Sequence, residues 1–163
     1  MADLQGGDEL PEFNVGIIGC GQVGTTLLTK LLEVRDQFHN LKLHVSTRQP
    51  HLLRPFKQEF GVESVFDNQK VAAKCDIIFV CVLPSQVQEV FKEIREVITE
   101  RINASKKDKR VITPVIIVTC AAIGYQKLRL MLLPQALFLK TNINVALLKE
   151  YLIKTNTISR LNN

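Results

Sequence analysis

A glycine-rich turn between an apolar strand pattern and an amphipathic helix pattern most constrains this chain. Apolar residues 15–18 run directly into a Gly-x-Gly-x-x-Gly sequence, and leucines at helical spacing follow over residues 25–32. In such a turn Gly19 permits the sharp bend, Gly21 lets the backbone approach a diphosphate, and Gly24 lets the helix pack closely on the strand. A plain structural connector is the alternative, but the strand and helix on either side favour a nucleotide-binding turn.

Strand and helix patterns alternate along the rest of the chain. Strands are predicted near residues 13–18, 42–46, 64–66, 76–82 and 115–119, and helices near 22–35, 52–60, 69–74 and 86–101. This alternation predicts an α/β protein with a doubly wound, Rossmann-like and mostly parallel sheet in a single domain. We expect a disordered start over 1–12, the sheet domain over 13–130, and a tail over 131–163 with one short helix near 143–153.

Length and charge restrict the classes of function. A chain of 163 residues suits one domain, and its net charge of +5 comes from the second part of the chain. The densest basic run, residues 106–110, has no interleaved aromatic residues and reads as a solvated loop, so we expect no nucleic-acid partner. The two longest apolar runs, 77–83 and 115–123, are too short to cross a bilayer, so we expect no membrane partner.

The cysteines and histidines do not form a recognisable metal or catalytic pattern. The four cysteines lack paired spacing, and the three histidines lack metal-ligand spacing, so we predict neither a zinc site nor a disulfide framework. The acidic N terminus does not have the features of a secretory signal. We therefore expect an intracellular, cytoplasmic protein with reduced thiols.

The end of the second predicted strand favours one of the two nicotinamide cofactors. An acid at this place would bind the ribose hydroxyls of NAD and repel the 2′-phosphate of NADP, but the sequence here is Ser46-Thr47-Arg48. Two hydroxyl groups and a guanidinium suit a phosphate. We therefore predict NADP rather than NAD; an arginine that simply caps a strand is the alternative.

The fourth predicted strand ends at Leu83-Pro84-Ser85, where ligands of open α/β sheets bind. Its backbone would line the cofactor, although a simple strand-to-helix turn explains the same residues. Ser85 and Gln88 fit a capping box at the start of the next helix.

Taken in order, several segments resemble pyrroline-5-carboxylate reductase and its relatives. They are the glycine turn 15–24, the run 46–48, the pair 67–68, the strand and turn 75–84, and the run 117–122. That family has a Rossmann cofactor domain followed by a helical dimerisation domain. The resemblance covers residues 13–130.

The resemblance implies a role for each matched residue. By this resemblance, the pyrophosphate would bind at Gly19, Gly21, Gln22, Val23 and Gly24. The adenosine 2′-phosphate would bind at Ser46, Thr47 and Arg48, and Asn68 would lie on the adenosine side of the site. The nicotinamide would lie beside Val82, Leu83, Pro84, Cys120 and Ala121. The family's Val-Lys-Pro is Val-Leu-Pro here, and its Ala-Ala-Gly has the glycine one place late. Catalytic residues are not predicted.

The tail departs from the family, so we expect a truncated form without the substrate-binding and dimerising domain, and no oligomer. The sequence predicts an NADP-dependent oxidoreductase domain whose full-length relatives transfer hydride to an imine-like carbon. The alternative is a non-catalytic nucleotide-binding or interaction protein.

Overall fold

The computed structural model describes residues 12–38 and 40–141. Six parallel strands form one sheet in the order β3-β2-β1-β4-β5-β6. The strands are β1 Phe13–Ile18, β2 Leu41–Ser46, β3 Glu63–Val65, β4 Ile77–Val80, β5 Val115–Val118 and β6 Leu137–Lys140. The helices are α1 Gln22–Val34, α2 Arg54–Phe60, α3 Asn68–Lys74, α4 Val87–Lys107 and α5 Tyr125–Met131.

The central strand β1 lies at the point where the strand order reverses. It pairs in parallel with β2 on one side and with β4 on the other, so the chain builds outward from β1 in both directions. Open α/β sheets bind ligands at this switch point, outside the carboxyl ends of the strands. The glycine turn follows β1 at that edge and is therefore at the position where a ligand is expected.

Two hydrophobic cores cover the two faces of the sheet. One contains α3, α4 and α5, with the Phe91 and Phe138 rings meeting edge to face at a centroid distance of 6.4 Å. The other contains α1 and α2, including the fully buried Leu28. Burying a side chain of this size contributes about 1.5–3 kcal/mol to the stability of the fold. The two cores therefore support the sheet edge at which the carboxyl ends of the strands lie.

The predicted fold class is confirmed, and every strand and helix predicted over residues 13–119 is present. The largest differences in length are at α4, which continues to Lys107, and at β4, which ends at Val80. The predicted capping box of Ser85 and Gln88 is wrong, since the 3₁₀ turn Pro84–Gln86 leads into α4 and no side chain caps that helix.

Two elements were not predicted, α5 and β6. The sheet extends beyond residue 130 because β6 pairs in parallel with β5, from Val115 with Leu137 to Val118 with Lys140. Only Phe138 of β6 is buried, which leaves too little alternation to mark a strand. The short helix predicted over 143–153 lies outside the described residues. Within the described ranges, every helix is too short or too polar to cross a bilayer.

Candidate functional site

The three glycines of the turn have three different environments. Gly19 has a φ of +88°, and a Cβ there would lie 2.7 Å from Cγ1 of Val82. A Cβ on Gly24 would lie 2.1 Å from the Gly19 carbonyl oxygen, so α1 packs directly against the turn. A Cβ on Gly21 would meet no atom within 4 Å. Gly21 therefore borders open space, as a backbone that receives a ligand should.

The first turn of α1 presents hydrogen-bond donors at the same edge. Gly21 is the N-cap in an extended conformation, and no side chain caps the helix. The first N–H groups of an α-helix have no acceptor within the helix, so those of Gln22, Val23 and Gly24 are available to an anion. The Gly19 N–H donates to the Ser46 carbonyl oxygen at 2.9 Å, which fixes the turn against the end of β2.

A chain of side-chain hydrogen bonds joins the end of β2 to α3 and α4. The buried Ser46 hydroxyl donates to Oδ1 of Asn68 at 2.7 Å. Nδ2 of Asn68 donates to Oε2 of Glu93 at 2.6 Å. Asn68 opens α3, whose N-cap Asp67 accepts from the Lys70 N–H at 3.0 Å. These contacts hold Asn68 at the predicted adenosine side. The hydroxyl hydrogen of Ser46 is used in the bond to Asn68, so it is not available to donate to a ligand while that bond is in place.

Thr47 and Arg48 follow the end of β2; Thr47 is buried, whereas Arg48 is exposed. Oγ1 of Thr47 accepts from the Gln49 N–H at 3.2 Å, which leaves the hydroxyl hydrogen as a donor. The Arg48 side chain is 62% exposed, and its Nη2 lies 3.5 Å from Oε2 of Glu89 on α4. The structure therefore places an acid beside Arg48 that sequence reasoning missed.

The predicted nicotinamide end has fewer available groups. Leu83 is 65% exposed, and its N–H donates to Oε1 of Gln86 at 3.2 Å. Val82 is half-buried against the core and Pro84 is exposed. Two residues after β5, the Cys120 side chain is buried in the core, so a contact with a cofactor would involve its backbone.

The loop after β5 is fixed from the edge of the sheet. Nζ of Lys140, the last residue of β6, donates to the carbonyl oxygen of Ala121 at 3.2 Å. Ala121 itself is exposed. Gly124, one place late relative to the family pattern, is the N-cap of α5 with a φ of −64°, so this position does not require glycine.

Three of the four thiols are difficult to ionise. Burial raises the pKa of Cys20, and it raises the pKa of Cys81 to about 11. Burial also raises the pKa of Cys75 to about 12. A nucleophilic cysteine needs its thiolate, so these side chains do not provide covalent catalysis at neutral pH. No group of acids, cysteines and histidines within the described ranges could hold a metal ion.

The histidines have structural positions where they can be described. Buried His44 places Nε2 2.7 Å from Oδ1 of Asn14 and Nδ1 3.0 Å from Oε2 of Glu63. It lies within the sheet and faces away from the open edge. His51 is exposed in the 3₁₀ turn Pro50–Leu53, and His39 lies outside the described residues.

Sequence reasoning missed the two glutamates, Glu89 and Glu93, that α4 contributes to the predicted adenosine side. They lie one helical turn apart, and they contact Arg48, which follows β2, and Asn68 of α3. Their four-residue spacing shows only that they share a helix face. Nothing in the sequence near them points to Arg48, because tertiary packing brings α4 to the end of β2.

A glycine turn at the switch point of a doubly wound parallel sheet, with an uncapped helix behind it, defines the class of dinucleotide-binding domains. A family model described as "NADP oxidoreductase coenzyme F420-dependent" matches residues 14–115. The chain belongs to this family.

Relatives of known name match about half of the chain. The mouse (Mus musculus) "NADP-dependent oxidoreductase domain-containing protein 1" is 40% identical over 89 residues, which cover 54% of this chain and 23% of the mouse protein. Pyrroline-5-carboxylate reductase 1 of Dictyostelium discoideum is 28% identical over 92 residues, covering 56% of this chain and 16% of that protein. The matched segment thus covers less than a quarter of each of these two relatives.

Solved structures share the fold. Pyrroline carboxylate reductase of Plasmodium falciparum, solved with NADP bound, superposes with a TM-score of 0.61 at 19% identity, covering 83% of this chain and 44% of that one. The reductase of Coxiella burnetii gives a TM-score of 0.63 at 18% identity, covering 80% and 43%. The predicted resemblance to the pyrroline-5-carboxylate reductase family is confirmed.

Proposed function

We propose that this chain binds NADPH at the carboxyl edge of its sheet and serves as the cofactor domain of a reductase of pyrroline-5-carboxylate reductase type. The single observation that carries the proposal is the open space at Gly21 beside the uncapped start of α1. A diphosphate there would accept from the first N–H groups of the helix and meet the positive end of its dipole.

The adenosine end supports NADPH over NADH. Arg48 is exposed beside Thr47, whose hydroxyl still has a hydrogen to donate, and guanidinium groups bind phosphate through charge-assisted hydrogen bonds. Asn68 is held beside them by Ser46 and Glu93. Contact between the Ser46 hydroxyl and the phosphate would require it to give up its hydrogen bond to Asn68, and Thr47 is buried as well, so we assign the main phosphate contact to the exposed Arg48.

At the other end, the backbone near Val82, Leu83 and Pro84, with the loop at Cys120 and Ala121, would hold the nicotinamide. The bound cofactor supplies the hydride, and the protein supplies position and an electrostatic environment. On one side of this region Gly19 packs closely against Val82, so that an added Cβ would lie 2.7 Å from Cγ1 of Val82. On the other side Nζ of Lys140 donates a hydrogen bond to the carbonyl oxygen of Ala121. The substrate proposed for the full-length protein is an imine-like compound related to pyrroline-5-carboxylate.

Thermal unfolding of the 163-residue chain tests the proposal. A ligand that binds only the native state stabilises it by about 2.7 kcal/mol at a concentration 100 times its Kd. We expect the melting temperature to rise with NADPH concentration, and to rise less with NADH at the same concentrations. Equal melting temperatures with and without saturating dinucleotide would contradict the proposal.

A further inference from the structure

Arg48 does not face the adenosine side as a free cation. Its Nη2 lies 3.5 Å from Oε2 of Glu89, and both side chains are 62% exposed. Glu93, one turn further along α4, is also exposed and bonds to Asn68. Two residues predicted to bind the adenosine end therefore each have an acidic partner supplied by the same helix.

A 2′-phosphate that binds Arg48 has to compete with Glu89. The carboxylate neutralises the guanidinium and also repels a phosphate dianion placed near it. Exposed ion pairs contribute about 0–1 kcal/mol, so a phosphate can displace Glu89, but at a measurable cost in affinity. NADH lacks the 2′-phosphate, so its binding does not require the ion pair between Arg48 and Glu89 to break.

We infer that Glu89 is a specificity-determining residue that reduces the preference of this chain for NADPH over NADH by holding Arg48 in an ion pair. The inference rests on the proposed NADPH site. It replaces the usual arrangement, in which the residue that disfavours the 2′-phosphate stands at the end of the second strand. Here the acid comes from α4.

Glu93 has a different role from Glu89. The carboxylate of Glu93 accepts a hydrogen bond from the side-chain amide of Asn68, which in turn accepts one from the buried Ser46. Glu93 therefore fixes the start of α3. Loss of Glu93 is expected to weaken both cofactors alike, because no contact with Arg48 depends on it. Only Glu89 is expected to change selectivity.

Fluorescence titrations of the full chain with NADPH and NADH test the role of Glu89. We expect Glu89→Gln to lower the Kd for NADPH about fivefold while the Kd for NADH changes less than about twofold. Glu100→Gln is the matched control, since it removes the same charge about 16 Å further along α4, beyond the screening length at physiological salt. Glu100→Gln should leave both constants unchanged.

The same titrations in an Arg48→Ala background separate the ion pair from a general charge effect. Once Arg48 is absent there is no pair to break, so the gain from Glu89→Gln should shrink. An unchanged NADPH-to-NADH ratio in Glu89→Gln, or an equal gain in both backgrounds, would overturn the inference while leaving the proposed NADPH site intact. No saturable NADPH binding to the unaltered chain would overturn both.

Discussion

Gly21 and Gly24 lie three residues apart in one turn, yet an added Cβ meets open space at the first and a carbonyl oxygen at 2.1 Å at the second. The motif predicted these two roles because each glycine has a separate physical reason to lack a side chain. The environment of Gly21 is the part of the site most firmly predicted from sequence.

Gly21→Val should therefore abolish NADPH binding and leave the fold intact. The branched side chain would fill the space through which a diphosphate reaches the backbone, whereas an added Cβ at Gly21 meets no atom of the protein within 4 Å. The loss of a favourable N-cap residue should cost about 1 kcal/mol or less. Calorimetry should detect no binding, while circular dichroism matches that of the unaltered chain. Undiminished binding to the folded variant would contradict the site.

Arg48→Ala should remove much of the preference for NADPH. A charge-assisted hydrogen bond to phosphate contributes about 1.5–3 kcal/mol, so the Kd for NADPH should rise roughly tenfold or more while that for NADH changes little. Arg54→Ala, a change of the same kind at the start of α2, is the control. Equal weakening of both cofactors by Arg48→Ala would argue against a 2′-phosphate contact.

The hydroxyl groups at the end of β2 show where residue-level prediction stopped. Ser46 and Thr47 both read as phosphate donors in the sequence, but Ser46 is buried with its hydrogen bonded to Asn68. Helices cover both faces of this sheet, so the alternation along β2 does not distinguish a buried hydroxyl from an available one. Glu89 could not have been predicted either, since only packing of α4 against the sheet places it near Arg48.

At the scale of elements, α1 packs closely against the turn after β1. Gly24→Ala should destabilise the fold by about 1–3 kcal/mol, because the added methyl would overlap the Gly19 carbonyl and overpacking costs this much. Gly124→Ala is the matched control, since a Cβ there meets no atom within 4 Å. Denaturant unfolding should separate the two variants; equal midpoints would contradict the packing described.

The ion pair between β2 and β3 links stability to pH. Partial burial would raise the pKa of Glu63, but His44 and Lys74 outweigh it, so this pKa is lowered in the folded chain. A lowered carboxyl pKa stabilises the fold above the unfolded value of about 4.3, and this stabilisation is lost as pH falls through the lower folded value.

The free energy of unfolding should therefore fall more steeply below about pH 4.3 in the unaltered chain than in Glu63→Gln. The difference between the two proteins should be largest near neutral pH and should disappear in acid. Glu100 has no such ion-pair partner in the described part of the chain. The free energy of unfolding of Glu100→Gln should therefore depend on pH in the same way as that of the unaltered chain. Parallel curves for all three proteins would show that Glu63 does not titrate in this way.

The elements at the far edge of the sheet were the hardest to predict. The strand β6 has four residues, and exposed Leu137 and Leu139 flank the one buried side chain, Phe138. A continuous apolar run of this length does not distinguish a strand from a helix. The central elements were easier because α1 and α4 are long and their apolar stripes repeat over several turns.

At the scale of the whole molecule, the proposed function gives the described residues the role of one wall of a reductase site. Hydride transfer needs donor and acceptor held in near-attack geometry, which can lower the barrier by about 7–11 kcal/mol. The solved reductases contain more than twice the length that this chain matches. We therefore expect the 163-residue chain, assayed alone, to bind NADPH without useful reduction of pyrroline-5-carboxylate. Substrate-dependent NADPH oxidation that Gly21→Val abolishes would contradict this expectation.

The central claim is that the glycine turn at the carboxyl edge of β1 holds the diphosphate of NADPH, and amide NMR spectra recorded during a titration test it most directly. Glycine amides resonate apart from most others, so the turn can be followed residue by residue. The account predicts saturable shifts at Gly19, Gly21 and Gly24, and none at Gly61, which closes α2 away from the turn. Shifts that do not saturate, or that leave the three turn glycines unchanged, would contradict it.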